Sequence, residues 1–155
     1  MLTEEMKTYA KRSVLCWLAT VSEQGAPNVS PKELFVTEGD SHILIANIAS
    51  PGSMRNMRHQ PHVCVSFIDV FVQKGFKVLG EASIISRHDA DFPERVKPLQ
   101  EMAGAAFPVS SFTAIHITAV EPIIAPSYRF YPETTEQKQI AQAMQSYGVQ
   151  PQTKG

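Results

Sequence analysis

The sequence predicts a mainly β protein with short helices, folded as one small antiparallel barrel. Three observations carry that prediction. At least six segments show strand patterning, and the helical segments between them are short. The first three strands are joined by turns too brief for βαβ crossovers, which favours antiparallel pairing. No internal repeat, low-complexity tract or linker divides the 155 residues, a length that supports a single hydrophobic core.

The elements follow in order. Residues 3–12 form a short amphipathic helix with Met6, Tyr9 and Ala10 on one side. Val14 to Val21 is a nearly continuous apolar strand, which predicts burial on both faces. Ser22 to Pro27 turns the chain, and Asn28 to Val36 returns as a strand whose Pro31 demands an edge position or a bulge. A second turn, Thr37 to Ser41, leads into a strand over His42 to Ile48, completing a three-strand meander. A helix over residues 51–59 is followed by alternation at Val63, Val65 and Phe67, then by a strand from Gly75 to Ser86. A helical segment spans Ala90 to Ala103 with Pro93 in its first turn, and Phe112 to Val120 forms the last strand. The chain closes with a helix at about 133–147. Thr134 to Gln137 fits a capping box, Ile140, Ala143, Met144 and Tyr147 form an apolar stripe, and Gly148 suits the C-cap.

Composition narrows the function. A formal net charge of −1 offers no basic field for nucleic acid, and no apolar run approaches the roughly 20 residues that span a bilayer. The polar start, Met1 to Arg12, has no apolar signal segment, so a cytoplasmic location is expected. Cys16 and Cys64 sit in apolar strands at a spacing that suits neither a zinc knuckle nor a redox pair, and are expected as buried free thiols. His59 and His62 flank Gln60-Pro61, whose proline breaks the helix that would align them, so no metal is expected. Nucleophile-elbow, Walker and Rossmann patterns are all missing, which leaves no catalytic side chain to name and the chemistry to a cofactor.

The densest signal is Asn47 to Arg58, where an apolar strand enters a Ser-Pro-Gly-Ser turn that opens a helix. Ser50 can cap that helix, Pro51 suits its first position, and Gly52 lets a ligand approach the backbone. Free N–H groups and the positive end of the helix dipole favour a phosphate, with Ser50, Ser53 and Arg55 as side-chain donors. Lys77, inside an apolar strand, either reaches water or meets a negative partner. Lys32 poses the same alternative beside Glu33, and Asn47 either reads a heterocycle or satisfies local backbone.

Taken together, these residues resemble the pyridoxamine 5′-phosphate oxidase-like flavin-binding split barrels. The likeness runs from about Ser13 to Val120. It rests on Leu18-Ala19-Thr20-Val21 before a Gly-x-Pro turn, Ser30-Pro31-Lys32, Ile45-Ala46-Asn47-Ile48 leading to Ser50, Arg55 to Pro61 before Val63 and Val65, and Lys77-Val78-Leu79-Gly80. The resemblance implies a six-stranded antiparallel split β-barrel, a single domain over 1–155 and a homodimer with FMN at its interface. By position, Lys32 falls near the isoalloxazine ring or ribityl chain, and Ala46, Asn47 and Ile48 run along the flavin. Ser50, Ser53 and Arg55 surround the phosphate with Met54 and Asn56 beside them, and Lys77 adds charge from a neighbouring strand.

The sequence also departs from the family pattern. Ser53 stands where a basic residue is common, Gly75 replaces a common Gln, and the oxidase's C-terminal substrate motif of Arg and His has no match. These differences argue against pyridoxamine phosphate as substrate. The resemblance implies a flavin-dependent oxidoreductase exchanging electrons with a small molecule such as NADH or NADPH. A flavin carrier or sensor is the rival. A deazaflavin fits the same groove type, and a heme-binding relative would take His62 or His116 as its ligand.

Overall fold

The computed structural model describes residues 1–152. Seven strands form one antiparallel sheet: β1 (Cys16–Val21), β2 (Pro27–Lys32), β3 (Phe35–Glu38), β4 (His42–Ala46), β5 (His62–Asp69), β6 (Lys74–Ser86) and β7 (Ser111–Ile124), in the spatial order β2-β1-β5-β6-β7-β4-β3. Six helices accompany it: α1 (Glu4–Arg12), α2 (Pro51–His59), α3 (Phe92–Arg95), α4 (Lys97–Ala103), α5 (Ser127–Phe130) and α6 (Glu136–Tyr147).

The strand order forces the sheet to curl. β2 and β3 occupy its two opposite edges, yet only Glu33 and Leu34 separate them in sequence. Seven flat strands would hold their edges about 29 Å apart, whereas the three steps from Lys32 to Phe35 reach about 11 Å. The edges must therefore come together, and the result is a split barrel with a seam at Glu33-Leu34. At that seam the backbone N–H of Ala46 donates to the carbonyl of Leu34 at 2.9 Å.

Several expectations are corrected here. The barrel has seven strands rather than six, because the strand expected over Asn28 to Val36 breaks in two. The three-strand meander becomes two hairpins on opposite edges, β1–β2 and β3–β4. Pro31 lies on edge strand β2, as its missing N–H requires. β1 is not buried on both faces: Cys16, Leu18 and Thr20 point inward while Trp17 is 43% exposed. The fourth strand stops at Ala46, because Ala49 turns the chain with φ 51°. The helix expected over Ala90 to Ala103 is two short ones meeting at Val96, and the last helix is capped by Thr135, not Thr134, so no capping box forms. Gly148 does end that helix. The single-domain reading extended to residue 155, of which 153–155 lie outside the described residues.

Two apolar clusters share the sheet. Leu18, Ile43, Ile45, Val65, Phe67, Val78 and Ile115 fill the barrel, closed by Tyr9 and Ala10 of α1 and by Met57 of α2. Leu44, Ala46, Phe112 and Ala114 face outward and are covered by Phe92 and Leu99 of the α3–α4 pair. Arg95 locks that pair in place, its Nε and Nη2 donating to the two carboxylate oxygens of Glu38 at 2.9 and 2.8 Å. Among the described residues no helix is long and apolar enough to cross a membrane.

Candidate functional site

A cavity of about 410 Å³ opens at the barrel seam. Its floor is built by Lys32 at the end of β2 and by Leu34, Ala46 and Ile48, and its roof by Met102, Ala103 and Phe107. The roof follows from local chemistry. Gly104 ends α4 with φ 70°, a conformation L side chains resist. Gln100 then gathers the following loop, donating from Nε2 to the carbonyls of Gly104 and Phe107 and accepting from the Val109 N–H. Met102 and Phe107 remain 50% and 60% exposed above the cavity.

Lys32 is the unusual group. It is only 7% exposed, and no carboxylate lies within ion-pairing distance of it among the described residues. Its Nζ donates to the hydroxyl of Ser50, which in turn donates to the carbonyl of Ile48 at 3.0 Å. An ammonium has three protons, so two are left for a ligand. Burial holds the Lys32 pKa below the usual lysine value. Beneath it, burial pushes the Cys16 thiol up to about 12, which keeps that cysteine an inert core group.

The start of α2 sits beside Lys32 through Ser50. Ser50 is the N-cap residue but makes no side-chain capping bond, since its hydroxyl is committed to Lys32 and Ile48. A Cβ at Gly52 would meet no atom within 4 Å, and Arg55 is exposed with no hydrogen bond or ion pair among the described residues. Ser53, Met54 and Asn56 turn toward the barrel instead. Ser53 is buried, with Ser30 Oγ 3.2 Å away and Asn28 Nδ2 donating at 3.4 Å, while Asn56 donates to Thr20 Oγ1 at 3.0 Å. Met54 packs on the barrel core. The amide of Asn47 is taken up by β7: it accepts from Thr113 Oγ1 at 2.8 Å and donates to Ser111 Oγ at 3.4 Å.

Thus the structure gathers Lys32, Ala46 and Ile48 around one cavity, with Ser50 joined to it through Lys32 and Ile48, while Gly52 and Arg55 lie exposed in the first turns of α2. It does not bring Lys77 there. Lys77 lies on the outer face of β6, between Ser66 and Glu121 in the ladder, and pairs with Glu121 at 2.7 Å. The roof residues Met102 and Phe107 escaped the sequence reading. Their only signal was an apolar residue on each side of Gly104, which core packing explains equally well. Asn28 and Ser30, which hold Ser53, escaped it because a polar edge strand reads as solvent-facing.

The curled antiparallel sheet, its seam cavity and the helix entered from β4 define a split β-barrel. The sequence matches the pyridoxamine 5′-phosphate oxidase family over residues 2–125, and the chain belongs to that family. None of the curated proteins matches it. Solved structures share its fold. HupZ of Group A Streptococcus is 21% identical with a TM-score of 0.66, covering 77% of this chain and 92% of that one. An FMN-binding protein from Syntrophomonas wolfei is 16% identical with a TM-score of 0.66, covering 79% of this chain and 86% of its own. An F420 reductase is 20% identical with a TM-score of 0.60, covering 77% and 98%.

Proposed function

We propose that this chain binds FMN at the seam cavity, as a two-fold homodimer, and acts as a flavin-dependent oxidoreductase on a small molecule. The observation that carries the reading is the buried, unpaired Lys32 lining a cavity with Ala46 and Ile48, one hydrogen bond from the start of α2. The donor set fits a flavin nucleotide. Apolar Ala46, Ile48 and Leu34 suit a flat ring, Gly52 leaves the helix start accessible, and Arg55 is free to take a phosphate. Ser50 contributes by fixing the Lys32 ammonium and the path of the chain into α2.

When bound, FMN supplies hydride and electron transfer. The protein's part is to hold, orient and shield. Lys32 places a positive charge at the cavity floor, and Met102 and Phe107 exclude water from above. No side chain is assigned a proton-transfer role. The family's substrate-phosphate cations are missing, so pyridoxamine 5′-phosphate is expected to react poorly or not at all. The electron donor is expected to be NADH or NADPH, and the F420 reductase fold keeps a deazaflavin as the second cofactor.

The dimer rests on the outer sheet face. There Val29, Ala19, Cys64, Leu79 and Ala119 lie in one cross-strand row, with Trp17 in the next, and Val29, Leu79 and Trp17 are 58%, 38% and 43% exposed. The apolar run Val70-Phe71-Val72 after β5 offers a partner less surface. Val72 is buried within the chain, and Phe71 packs edge-on against Tyr147 at 6.0 Å. Lys77 lies on the same face, where its charge is taken up by Glu121.

Isothermal titration of the apoprotein with FMN and with riboflavin tests the reading. FMN is expected to bind more tightly, and Arg55→Ala to weaken FMN by about 10-fold to 150-fold, the worth of one charge-assisted hydrogen bond. Equal affinity for the two ligands, or an Arg55 variant that loses apo stability but not FMN affinity, would remove the phosphate site. Sedimentation equilibrium showing monomer alone, with and without FMN, would remove the dimer.

A further inference from the structure

We infer that His42 and His116 form a chelating site for a divalent cation of the zinc, nickel or copper class, on the outer face of the sheet. The site is separate from the seam cavity and does not rest on the flavin reading.

The register assembles a row of ionisable side chains there. His62, Glu81, His116, His42 and Glu38 face one another in turn across β5, β6, β7, β4 and β3. Both ends of the row are already engaged. His62 Nδ1 lies 2.7 Å from Gln60 Oε1 and its Nε2 lies 3.5 Å from Glu81, while Glu38 gives both carboxylate oxygens to Arg95. The middle pair is left over. His116 is exposed and makes no hydrogen bond or ion pair among the described residues.

Three observations shape this pair for a metal. The Ile117 N–H donates to the Ser41 carbonyl at 2.8 Å, so His42 and His116 occupy the neighbouring, non-hydrogen-bonded position of the ladder. Facing side chains approach more closely at such positions. Their ring centres are 5.0 Å apart, with the planes tilted by 51° rather than stacked. With a metal–nitrogen bond of about 2 Å, a ring centre lies about 3.2 Å from the metal, so two imidazoles meeting it at about 90–109° have centres about 4.5–5.2 Å apart. The observed spacing falls inside that range. Finally, Ser41 Oγ lies 2.9 Å from His42 Nδ1. By accepting the Nδ1–H, this hydroxyl fixes the tautomer and leaves the Nε2 lone pair for a cation, as outer partners of ligating histidines do.

Ligand type sets the class of cation. Imidazole suits zinc, nickel and copper, whereas magnesium and calcium take oxygen donors. Glu81, opposite His116 on β6, places a carboxylate beside the pair. Among the described residues no three His, Cys, Asp or Glu side chains are grouped to hold a metal ion. The protein therefore supplies two ligands, water completes the coordination, and the cation ties β4 to β7.

The test is calorimetric titration of Zn²⁺ into the tag-free, full-length protein after chelator treatment, with Mg²⁺ in excess. Zn²⁺ is expected to bind with a stoichiometry of about one per chain, undisturbed by Mg²⁺. His116→Gln should weaken Zn²⁺ by about 10-fold or more, no less than loss of an outer hydrogen-bond partner costs, while His62→Gln and His88→Gln stay within about 2-fold. His116 is exposed, so its replacement does not endanger the fold. A second readout is the imidazole ¹⁵N spectrum, in which Zn²⁺ should shift His42 and His116 and leave His59 and His88 in place. No saturable Zn²⁺ binding, or an affinity indifferent to His116→Gln, would overturn the inference. A larger loss from His62→Gln than from His116→Gln would overturn it too, by moving the cation to His62 and Glu81.

Discussion

Two neighbourhoods of this protein combine glycine with lysine, and they are finished in opposite ways. On β6, Gly75 and Gly80 flank Lys77. A Cβ on Gly75 would strike the carbonyl oxygen of Phe67 and come within 2.7 Å of Ile68 Cα, and one on Gly80 would sit 2.5 Å from the His116 carbonyl oxygen. Lys77 between them is paired with Glu121. At the seam, Gly52 faces open space and Lys32 is buried with no carboxylate partner. The first neighbourhood has every space filled and every charge matched. The second keeps a space and a charge in reserve, at an energetic cost that only a ligand repays. A Cβ is thus excluded at Gly75 and Gly80 and accommodated at Gly52.

The largest effect expected from this contrast is on stability. Gly80→Ala should destabilise the protein by about 3 kcal/mol or more, since rigid backbone in β7 cannot yield to the added methyl group. Urea unfolding measures it, and a variant as stable as wild type would show that the β6–β7 bulge at Leu79/Gly80 relaxes freely.

Removing the two lysines should give different answers. Lys32→Met is expected to stabilise the apoprotein by on the order of 1 kcal/mol, because it takes an uncompensated charge out of the interior. Lys77→Met, at a solvent-exposed pair, should leave the melting temperature nearly unchanged. If Lys77→Met proves the more damaging of the two, the contrast between the sites is wrong.

Gly52→Ala should separate fold from function. In the first turn of α2 alanine is favoured over glycine by up to about 1 kcal/mol, so thermal stability should hold or rise. FMN affinity should fall if the ligand approaches the backbone there. Unchanged affinity in calorimetry would place the phosphate elsewhere.

The smallest effect is a pH dependence. The unfolded chain keeps a proton on Lys32 up to its ordinary pKa of 10.5, whereas the folded chain gives it up at lower pH. Between those two values the unfolded state binds more protons, so stability rises with pH across that window. The stabilisation by Lys32→Met should therefore shrink as pH approaches 10.5, read as converging urea midpoints. Cys16 works in the opposite direction, from its ordinary 9.0 to about 12, and is common to both proteins. A gap between midpoints that stays constant with pH would mean that Lys32 carries no charge penalty.

Local sequence determined much of this protein. Alternation and turn residues placed β4, β5, β6 and β7, the Pro51 helix start and the Gly148 helix end, because these depend on neighbours a few residues away. The ordered motifs from Leu18 to Gly80 carried the family, which the match over residues 2–125 bears out. The tertiary structure alone decided the break at Glu33-Leu34. Asn28 to Val36 has the composition of one strand, and only closure of the sheet sends its halves to opposite edges. It also decided the fates of two lysines that look alike in sequence. Lys77 finds Glu121 across a ladder 44 residues away in the chain, and Lys32 reaches the seam, where among the described residues no carboxylate pairs with it. The cavity roof belongs to the same class. Met102 and Phe107 acquire their place only through Arg95 on Glu38 and Gln100 on the Gly104–Val109 loop, contacts that no local pattern records. Charge compensation and cavity shape are set between segments distant in the chain, and local periodicity carries no information about them.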